Sequence, residues 1–460
     1  MADSIPSMAE TTVTAETVDR RNALDGLDVL RHAAAADPFG HRIHIALAMA
    51  WAFFVPLLMI PWAKDVALIL LVGWCLARVL FGGVRYAWGP LFRMPLAWLI
   101  TAWLFWTGLS ILWSPSPMWG LDEYKAFRAF LIPISVFPLL IEFRKILWAF
   151  LAGAAIVTVI QLLQASTLVE LGSRWNINQF TAWIAPNPGG LLLAGAFVAH
   201  AAWLLAERRG RMAAVHVAGA VLAAIGVMLM NNRGAVLASG IGVAVVCVVV
   251  LILLPRARAK VLLIATAIVF GLSSGLYVDE VLLDSKFSGP IEAKAQRGLD
   301  DLNNTEQFTS RPLLRRSVTY RLKVWSALLE DILDRPLLGT GMGGLWLAFD
   351  DHPEFRSTDR TVPSYKPAYK DPKHGHSSWL FVPVATGLIG MALMWGTLGT
   401  ALAGLCRRAR RHPEAVVSFG ILVAWMIGNV FDSLLLSGST NYLLIIGLLA
   451  AFIPRAGVEP

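Results

Sequence analysis

The strongest constraint in this sequence is a series of apolar runs, each about as long as a helix that crosses a bilayer. They recur from Ile43 to Ile453 and leave little sequence for other structure. A spanning helix needs roughly 20 apolar residues. Hydrophobic residues make up 57% of the chain and charged residues 15%, against about 25% charged in soluble domains. The sequence therefore predicts an all-α polytopic membrane protein.

We predict about twelve spans from this length criterion. Their approximate limits are 44–61, 66–82, 95–113, 126–141, 146–166, 188–206, 212–230, 234–254, 261–277, 378–403, 415–432 and 441–454. The chain then divides into a cytoplasmic N-terminal tail (1–42), spans within 43–277, a long outer loop with helical patterning (278–377), spans within 378–454 and a cytoplasmic C-terminus (455–460). A loop of that size is far longer than usual connections and is typical of functional or disordered segments.

Basic residues collect on one side of these predicted spans, which gives the predicted orientation. With the N-terminus in the cytoplasm, the loops on that side are basic throughout: Arg78 to Arg93, Arg144–Lys145, Arg208 to Arg211, Arg256 to Lys260 and Arg407 to Arg411. The outer loops hold far fewer Lys and Arg, as the positive-inside rule requires. The formal charge of +8 therefore indicates membrane orientation, and we expect no nucleic-acid partner.

The N-terminal segment and the cysteines indicate neither a targeting signal nor a metal site. Residues 1–40 lack the basic start, apolar middle and small-residue cleavage site of a signal peptide. We predict a cytoplasmic tail there, with a short interfacial helix around Leu24–Ala35. Cys75, Cys247 and Cys406 lie in or at the end of apolar runs without CxxC spacing, so we interpret them as core residues.

Cations on the outer side are unusual under this orientation and are candidate anion ligands. Arg233 follows Asn231–Asn232 where two predicted spans meet with almost no loop. It is either an arginine that extends to the lipid headgroups or a ligand for an anion in a cavity at the membrane surface. Lys125 and Arg128 are placed similarly, after the turn at 113–117. Three cations near one outer face suggest a phosphate site, with Lys125 and Arg128 as substrate-binding residues.

The long loop contains a predicted amphipathic helix over Ser317–Leu333. At 100° per residue its apolar face is formed by Val318, Leu322, Trp325, Leu329, Ile332 and Leu333. Arg321 lies on the flank of that face, where a solvated arginine is unusual, although long side chains do cover apolar surface. We therefore interpret Arg321 as functional. The glycines from Gly339 to Gly344 lack the strand–helix context of a nucleotide-binding loop.

His376 stands just before the predicted span 378–403. His374 lies two residues earlier, but no third ligand has a suitable spacing, so we predict no metal there. The residues that follow on roughly the face of His376 are Leu380, Pro383, Gly387 and Gly390. Glycines permit close helix packing, and the positive N-terminal end of a helix disfavours the imidazolium. A neutral imidazole suits a general base; the alternative is an interfacial histidine without a role.

Three sets of residues together resemble the bacterial O-antigen ligase/polymerase superfamily. They are Asn232–Arg233–Gly234–Ala235 at the start of a span, Arg321-x-x-x-Trp325 followed by Pro336-x-x-Gly339-x-Gly341, and His376–Ser377-x-x-Leu380 followed by Gly387-x-x-Gly390. They occur in the family's order within about residues 110–450. Ser377 and Ala385 depart from the pattern, because many relatives have Asn and an acid at these positions.

The resemblance implies a glycosyltransferase C-like, multi-pass protein of the bacterial inner membrane with a periplasmic active site. The donor would be a glycan on undecaprenyl diphosphate, and for a ligase the acceptor would be a sugar hydroxyl of lipid A-core, both among membrane lipids. Arg233 and Arg321 would hold the diphosphate, and His376 would take the acceptor's proton. Asp432 would orient His376 or the acceptor. The transfer would invert the anomeric carbon and need no metal or other cofactor.

Other activities stay open at this point. An O-antigen polymerase shares the donor and the paired arginines but extends another lipid-linked glycan. A protein O-glycosyltransferase is less expected, because those relatives tend to carry a soluble portion after the last span. A membrane transporter or flippase is the alternative of a different class. Ion-coupled transporters usually place ionisable residues near mid-bilayer, whereas these predicted spans carry almost no charge at their centres.

Overall fold

The computed structural model describes residues 26–165, 185–206, 210–230, 232–254, 257–261, 318–349, 376–432 and 434–454. Within these residues the chain forms helices and turns and has no strand. The longer helices are α1 (Gly26–Ala36), α2 (Pro38–Phe54), α3 (Pro61–Leu80), α4 (Pro95–Leu109), α5 (Phe143–Ala165), α6 (Pro186–Ala206), α7 (Gly210–Leu229), α8 (Arg233–Leu253), α9 (Val318–Asp334), α10 (Ser378–Arg408), α11 (Pro413–Phe431) and α12 (Gly438–Leu449).

Several of these stretches are long and apolar enough to cross a membrane. The described part of the chain contains 7 of them, or up to 8 if α3 and the bent segment Arg85–Phe92 form one span. They are Pro95–Trp113, Pro117–Ala165, Asn187–Ala206, Gly210–Leu229, Arg233–Leu253, Ser378–Arg408 and Pro413–Phe431. The chain is therefore a multi-pass helical membrane protein. Nearly all of the predicted span 261–277, much of the loop 278–377 and both chain ends lie outside the described residues, so the total of about twelve spans stays a prediction.

Helix starts follow local sequence signals. Pro38, Pro61, Pro95 and Pro413 each occupy the first turn of a helix, where the absent N–H removes no helical hydrogen bond. Asp37 caps α2, since its carboxylate accepts a 2.9 Å hydrogen bond from the Gly40 N–H. These signals set where the spans begin.

Helix α6 is the centre of the bundle. It packs against α7, α8 and α11. The most apolar stretch of α6 is 83% buried, against 22% in α7 and 33% in α8. Small residues permit this, because an added Cβ at Gly420 of α11 would lie 2.8 Å from Val198 of α6. The first turn of α6 lies at the end of the bundle where α8 begins and α11 ends, since Asn187 contacts both Asn232 and Asp432 there. We call this the site end.

Helix α9 packs with a different face from the apolar one that the sequence predicts. The leucines of that predicted face are exposed, with Leu322 at 45%, Leu329 at 50% and Leu333 at 78%. The buried face consists of Val324, Ala327, Leu328 and Asp331. Arg321 is half-buried at its edge. Helix α9 thus has three faces: one is buried against the bundle, one carries the exposed leucines and one is polar. Apolar side chains therefore occur on two faces of the helix, of which only one packs against the bundle.

Helix α10 is broken at Gly387, which corrects the prediction that this glycine serves close packing within a regular helix. Gly387 has φ +68° and ψ −177°. In an unbroken helix the Leu388 N–H would donate to the Val384 carbonyl. Here Leu388 donates to the Pro336 carbonyl at 2.7 Å, and Val384 accepts from the Thr340 N–H at 2.7 Å. The turn that follows α9 therefore replaces one helical hydrogen bond of α10 with two of its own.

The glycines of that turn permit this insertion. Gly339, Gly341 and Gly343 all have positive φ, a conformation that other residues rarely adopt. An added Cβ at Gly339 would lie 2.3 Å from the Val384 carbonyl oxygen. The turn also reaches the segment after α4, since the Gly343 N–H donates to Glu123 at 3.0 Å. The Gly-rich sequence thus joins α9 rigidly to α10.

Candidate functional site

Four polar or charged segments meet at the site end of the bundle. Arg233 is the first residue of α8, and Arg321 lies in the first turn of α9. His376 precedes α10 by two residues, and Asp432 is the residue after α11. Of the predicted site residues, the structure brings Arg233, Arg321 and Asp432 into one electrostatic group, and the contacts below connect His376 to it.

A chain of side-chain amides holds the helices together at this point. Asn232 caps α8, because its carbonyl oxygen accepts a 3.1 Å hydrogen bond from the Ala235 N–H. Its amide donates to the Asn187 oxygen at 2.8 Å. The Asn187 amide in turn donates to the Asp432 carboxylate. The chain runs from α8 through α6 to the end of α11 and fixes the starting direction of Arg233.

Close approach of α6 and α8 makes this amide chain possible. An added Cβ at Gly190 would lie 2.9 Å from the Ala235 Cβ and 3.3 Å from the Asn232 Cβ. A larger residue at position 190 would push α6 away from α8. Gly190 therefore keeps Asn187 within hydrogen-bonding distance of Asn232.

The charges at the site end act on one another. Arg321 lies on a loop helix outside the predicted spans, and burial lowers the pKa of its guanidinium. Asp432 opposes this effect and raises the pKa, whereas Arg233 lowers it. Arginine stays protonated in proteins, so within the described residues two guanidinium groups, those of Arg233 and Arg321, act here together with the one carboxylate of Asp432. The excess positive charge favours an anion between Arg233 and Arg321.

The backbone at His376 is strained. His376 has φ +51°, in the left-handed region that non-glycine residues seldom occupy. Such conformations persist where the surrounding structure holds them and are frequent at functional sites. Helix α10 begins at Ser378, so His376 lies outside the helix and before its N-cap residue, Ser377. The imidazole is therefore presented from a held turn at the end of the helix.

Ser378 connects that turn to the neighbourhood of Asp432. Its buried hydroxyl donates to the Asn429 side-chain oxygen at 2.6 Å and accepts from the Leu435 N–H at 3.0 Å. Asn429 and Leu435 flank Asp432 in the sequence. The side chain two residues after His376 is thus bonded to both sides of the segment that carries the carboxylate.

Lys125 and Arg128 have other partners. Lys125 pairs with Asp122 at 2.8 Å, and Arg128 pairs with Asp65 at 3.0 Å. Both side chains are largely exposed, at 71% and 51%. Asp122 and Asp65 are thus ion-pair partners of the two cations. Their role in substrate binding stays a prediction.

Asn187, Ser378 and Asn429 are site residues that sequence reasoning missed. Asn187 stands between Pro186 and Pro188 at the start of an apolar run. A polar residue in that position could have been identified from the sequence as a candidate site residue. Ser378 and Asn429 look like ordinary small polar residues in spans. Their pairing depends on how α10 and α11 pack, which the sequence pattern does not indicate.

The described residues contain no group of three or more His, Cys, Asp or Glu side chains arranged to hold a metal ion. His374 lies outside the described residues. The predicted independence of a metal stays a prediction.

Comparison with known proteins supports the resemblance that the motifs indicate. Residues 194–395 match the family model described as O-Antigen ligase. The chain is also 24% identical over 321 residues to the exopolysaccharide production protein ExoQ of Rhizobium meliloti (strain 1021), with 68% of this chain and 67% of that protein covered. The resemblance to the O-antigen ligase/polymerase superfamily is thereby confirmed.

The matched region contains part of the site. Arg233, Arg321 and His376 all lie within 194–395, whereas Asn187 precedes it and Asp432 follows it. Asn187 and Asp432 therefore lie outside the matched residues in the sequence, and the packing of the helices brings them next to Arg233.

Proposed function

Starting from the match to the O-antigen ligase family, we propose that this chain transfers a glycan from undecaprenyl diphosphate to a sugar hydroxyl of lipid A-core. The observation that carries the proposal is that Arg233 and Arg321 act on each other at the site end, where Asp432 is the one carboxylate among the described residues that acts on Arg321. Guanidinium groups match phosphate oxygens in charge and in bidentate geometry. A diphosphate would supply the anion that this excess positive charge favours.

The proposed reaction is a displacement at the anomeric carbon of the donor. The acceptor oxygen forms a bond to that carbon while the bond to the diphosphate oxygen breaks, and the diphosphate leaves with the electron pair. Attack opposite the leaving group inverts the anomeric configuration. His376 takes the proton of the acceptor hydroxyl and releases it to solvent. Arg233 and Arg321 stabilise the charge that develops on the diphosphate.

The membrane gives this reaction its setting. We propose that the protein lies in the bacterial inner membrane with the site end at the periplasmic face. The positive-inside bias of the sequence supports this orientation. A lipid-linked donor and a lipid-anchored acceptor both place their reacting groups near the bilayer surface. The exposed Leu322, Leu329 and Leu333 of α9 offer apolar contacts beside such a donor's polyprenyl chain.

Purified protein in detergent tests the proposal, with a glycan on undecaprenyl diphosphate as donor and lipid A-core as acceptor. We expect transfer to lipid A-core, its loss in Arg321→Ala, and normal transfer in the matched control Lys323→Ala on the exposed side of α9. Removing one such cation should reduce the rate by roughly 10²–10³-fold. Full activity of Arg321→Ala would reject the role of Arg321 in the diphosphate site.

Two further measurements test His376 as the general base and the independence of transfer from a metal ion. His376→Ala should retain donor binding and lose turnover, because the proton acceptor is gone while both arginines remain. EDTA should leave transfer unchanged. Transfer that EDTA abolishes and a divalent ion restores would contradict the metal-independent mechanism.

A polymerase is the second candidate, favoured by the similarity to ExoQ, whose name concerns an exopolysaccharide rather than a lipopolysaccharide. The same assay separates the two when a second lipid-linked glycan is offered as acceptor. Lengthening of that glycan without transfer to lipid A-core would identify a polymerase. Transport of the donor across proteoliposomes with no transfer to either acceptor would identify a flippase instead.

A further inference from the structure

A cavity lies at the end of the bundle opposite the site end. It has a volume of about 660 Å³ and is lined by α1, the segment after α3, the start of α4, the last turns of α10 and the residues after α12. Its lining includes Arg407 and Gly404 of α10. Helix α10 begins beside the candidate site at Ser378, and its unbroken part from Leu388 to Gly404 alone is roughly 24 Å long at 1.5 Å per residue. The cavity is therefore separate from the glycan-transfer site.

The lining is basic. It includes His32, Arg93, Arg407 and Arg408, and its described residues include no carboxylate. Arg408 is held in place, because it donates to the Ile453 carbonyl at 2.9 Å and to the Gly404 carbonyl at 3.0 Å. Among the described residues, no carboxylate lies within ion-pair distance of Arg93 or Arg407. Within the described residues, the cavity thus holds two guanidinium groups, those of Arg93 and Arg407, without a carboxylate partner.

The surroundings of the cavity are those of a lipid interface. The segment Arg85–Phe92, which contributes part of the lining, is bent by 116° from α3. Phe92 is 59% exposed and Trp98 is 61% exposed, directly beside Arg93. The Trp98 indole N–H donates to the Phe92 carbonyl at 2.8 Å. Exposed aromatic side chains of this kind concentrate at the headgroup level of a bilayer.

The geometry points to a binding site for the phosphate headgroup of an anionic phospholipid in this cavity. Arg93 and Arg407 contact the phosphate, while Phe92 and Trp98 lie against the upper acyl chains. Basic pockets between spanning helices bind acidic lipid headgroups by this combination of charge and apolar contact. The proposal does not depend on the transfer reaction, because it concerns the other end of the molecule.

Native mass spectrometry of the full-length protein in detergent tests this, with phosphatidylglycerol as probe and phosphatidylcholine as the zwitterionic reference. The double variant Arg93→Gln/Arg407→Gln should bind phosphatidylglycerol roughly thirtyfold more weakly, from about fivefold for each cation near the surface. The matched control is Arg410→Gln/Arg411→Gln, which removes the same charge from exposed positions nearby that do not line the cavity. The control should bind within about twofold of the unaltered protein.

The remaining arms distinguish the alternatives. Equal weakening in the control would overturn the proposal in favour of diffuse attraction, and so would equal binding of phosphatidylcholine. Glycerol 1-phosphate has the headgroup phosphate without acyl chains, and binding as tight as that of phosphatidylglycerol would identify a soluble-anion site and overturn the lipid assignment.

Arg93→Lys/Arg407→Lys keeps both charges with less alteration of the fold. Retained binding in that variant supports the site, and loss equal to that of the glutamine variant overturns it.

Discussion

Asn187 donates a hydrogen bond to the Asp432 carboxylate, although 245 residues separate the two in the chain. Asn187 also accepts from Asn232, the cap of α8. This contact holds the carboxylate at the site end. There Asp432 raises the pKa of Arg321, and Arg233 lowers it. The charge of Asp432 is thus positioned by neutral amides, and its effect on the anion can be separated from its effect on the fold.

We expect Asp432→Asn to lower both kcat and the KM for the lipid-linked donor. The variant keeps the side-chain shape but removes the negative charge that opposes an anion between the arginines. KM should fall about fivefold, since a unit charge a few ångströms away contributes on the order of 1 kcal/mol even in water. Misplacement of Arg321 should reduce kcat by up to roughly a hundredfold. Steady-state kinetics with varied donor measures both effects.

The control for this variant is Glu330→Gln, which removes an acidic charge from the exposed side of α9. It should leave kcat and KM unchanged. A rise in the donor KM of Asp432→Asn would contradict the assignment, because it would mean that the carboxylate helps to bind the donor rather than to position the cations.

Gly387→Ala should destabilise the protein and abolish the coupling of α9 to α10. Gly387 has φ +68°, and an added Cβ would lie 1.9 Å from the Leu337 carbonyl oxygen. A positive φ combined with ψ −177° is essentially restricted to glycine. It costs about 1–3 kcal/mol for a residue with a Cβ, and the steric overlap adds to this cost. Gly399→Ala in the same helix meets no atom within 4 Å and should cause no loss. Thermal unfolding in detergent compares the two variants, and equal midpoints would contradict the expected strain.

Ser378→Ala should lower stability by about 1–3 kcal/mol, the cost of leaving buried polar groups without partners. The substitution removes the acceptor of the Leu435 N–H and the donor to Asn429. Ser326→Ala removes an exposed hydroxyl that bonds only within α9, to the Lys323 carbonyl, and is the matched control. Chemical unfolding measures the difference. A loss in Ser378→Ala no larger than that in the control would show that this connection contributes little.

Asp331→Asn should stabilise the protein at neutral pH and not in acid. Burial raises the pKa of the Asp331 carboxyl, with Arg335 opposing the shift and Asp334 adding to it. The folded state therefore binds this proton more tightly than the unfolded state does. The protonated carboxyl therefore makes its full contribution to the free energy of unfolding below the ordinary pKa of an aspartate. This contribution is lost as the pH rises through the raised pKa of the folded state. The variant mimics the protonated form at every pH.

Unfolding midpoints at pH 7 and at about pH 3.5, just below the ordinary pKa, measure this dependence. The expected gain at pH 7 is on the order of 1 kcal/mol, and it should disappear in acid. Glu330→Gln, exposed on the same helix, should show no such pH dependence. A gain that is equal at both pH values would contradict the assignment to the buried carboxyl.

Structural features that depend on residues close together in the sequence were predictable. The predicted helix over 317–333 corresponds to α9, and Arg233 stands at the predicted start of a span. Both follow from periodicity and from the switch between polar and apolar residues. The coarse conclusion of a multi-pass helical protein likewise follows from the length and spacing of the apolar runs.

Features that depend on packing between distant segments were not predictable. The sequence gives the amphipathic faces of α9, but both Leu329 and Leu328 are apolar, so composition does not indicate which one contacts the bundle. The role of Gly387 was misjudged for a similar reason, because its φ depends on a turn that inserts from another segment. The contact between Asn187 and Asp432 leaves no periodic signal, since neither residue repeats along a helix face.

The break in α10 has a consequence for the biogenesis of the protein. Val384 and Leu388 lie within a predicted span, and each has its backbone group satisfied by the turn after α9. In a lipid environment an unsatisfied backbone group costs several kcal/mol. Before the turn docks, α10 can satisfy both groups as a regular helix, in which the Leu388 N–H donates to the Val384 carbonyl. We expect α10 to enter the membrane as a regular helix and to break at Gly387 only when the turn after α9 docks.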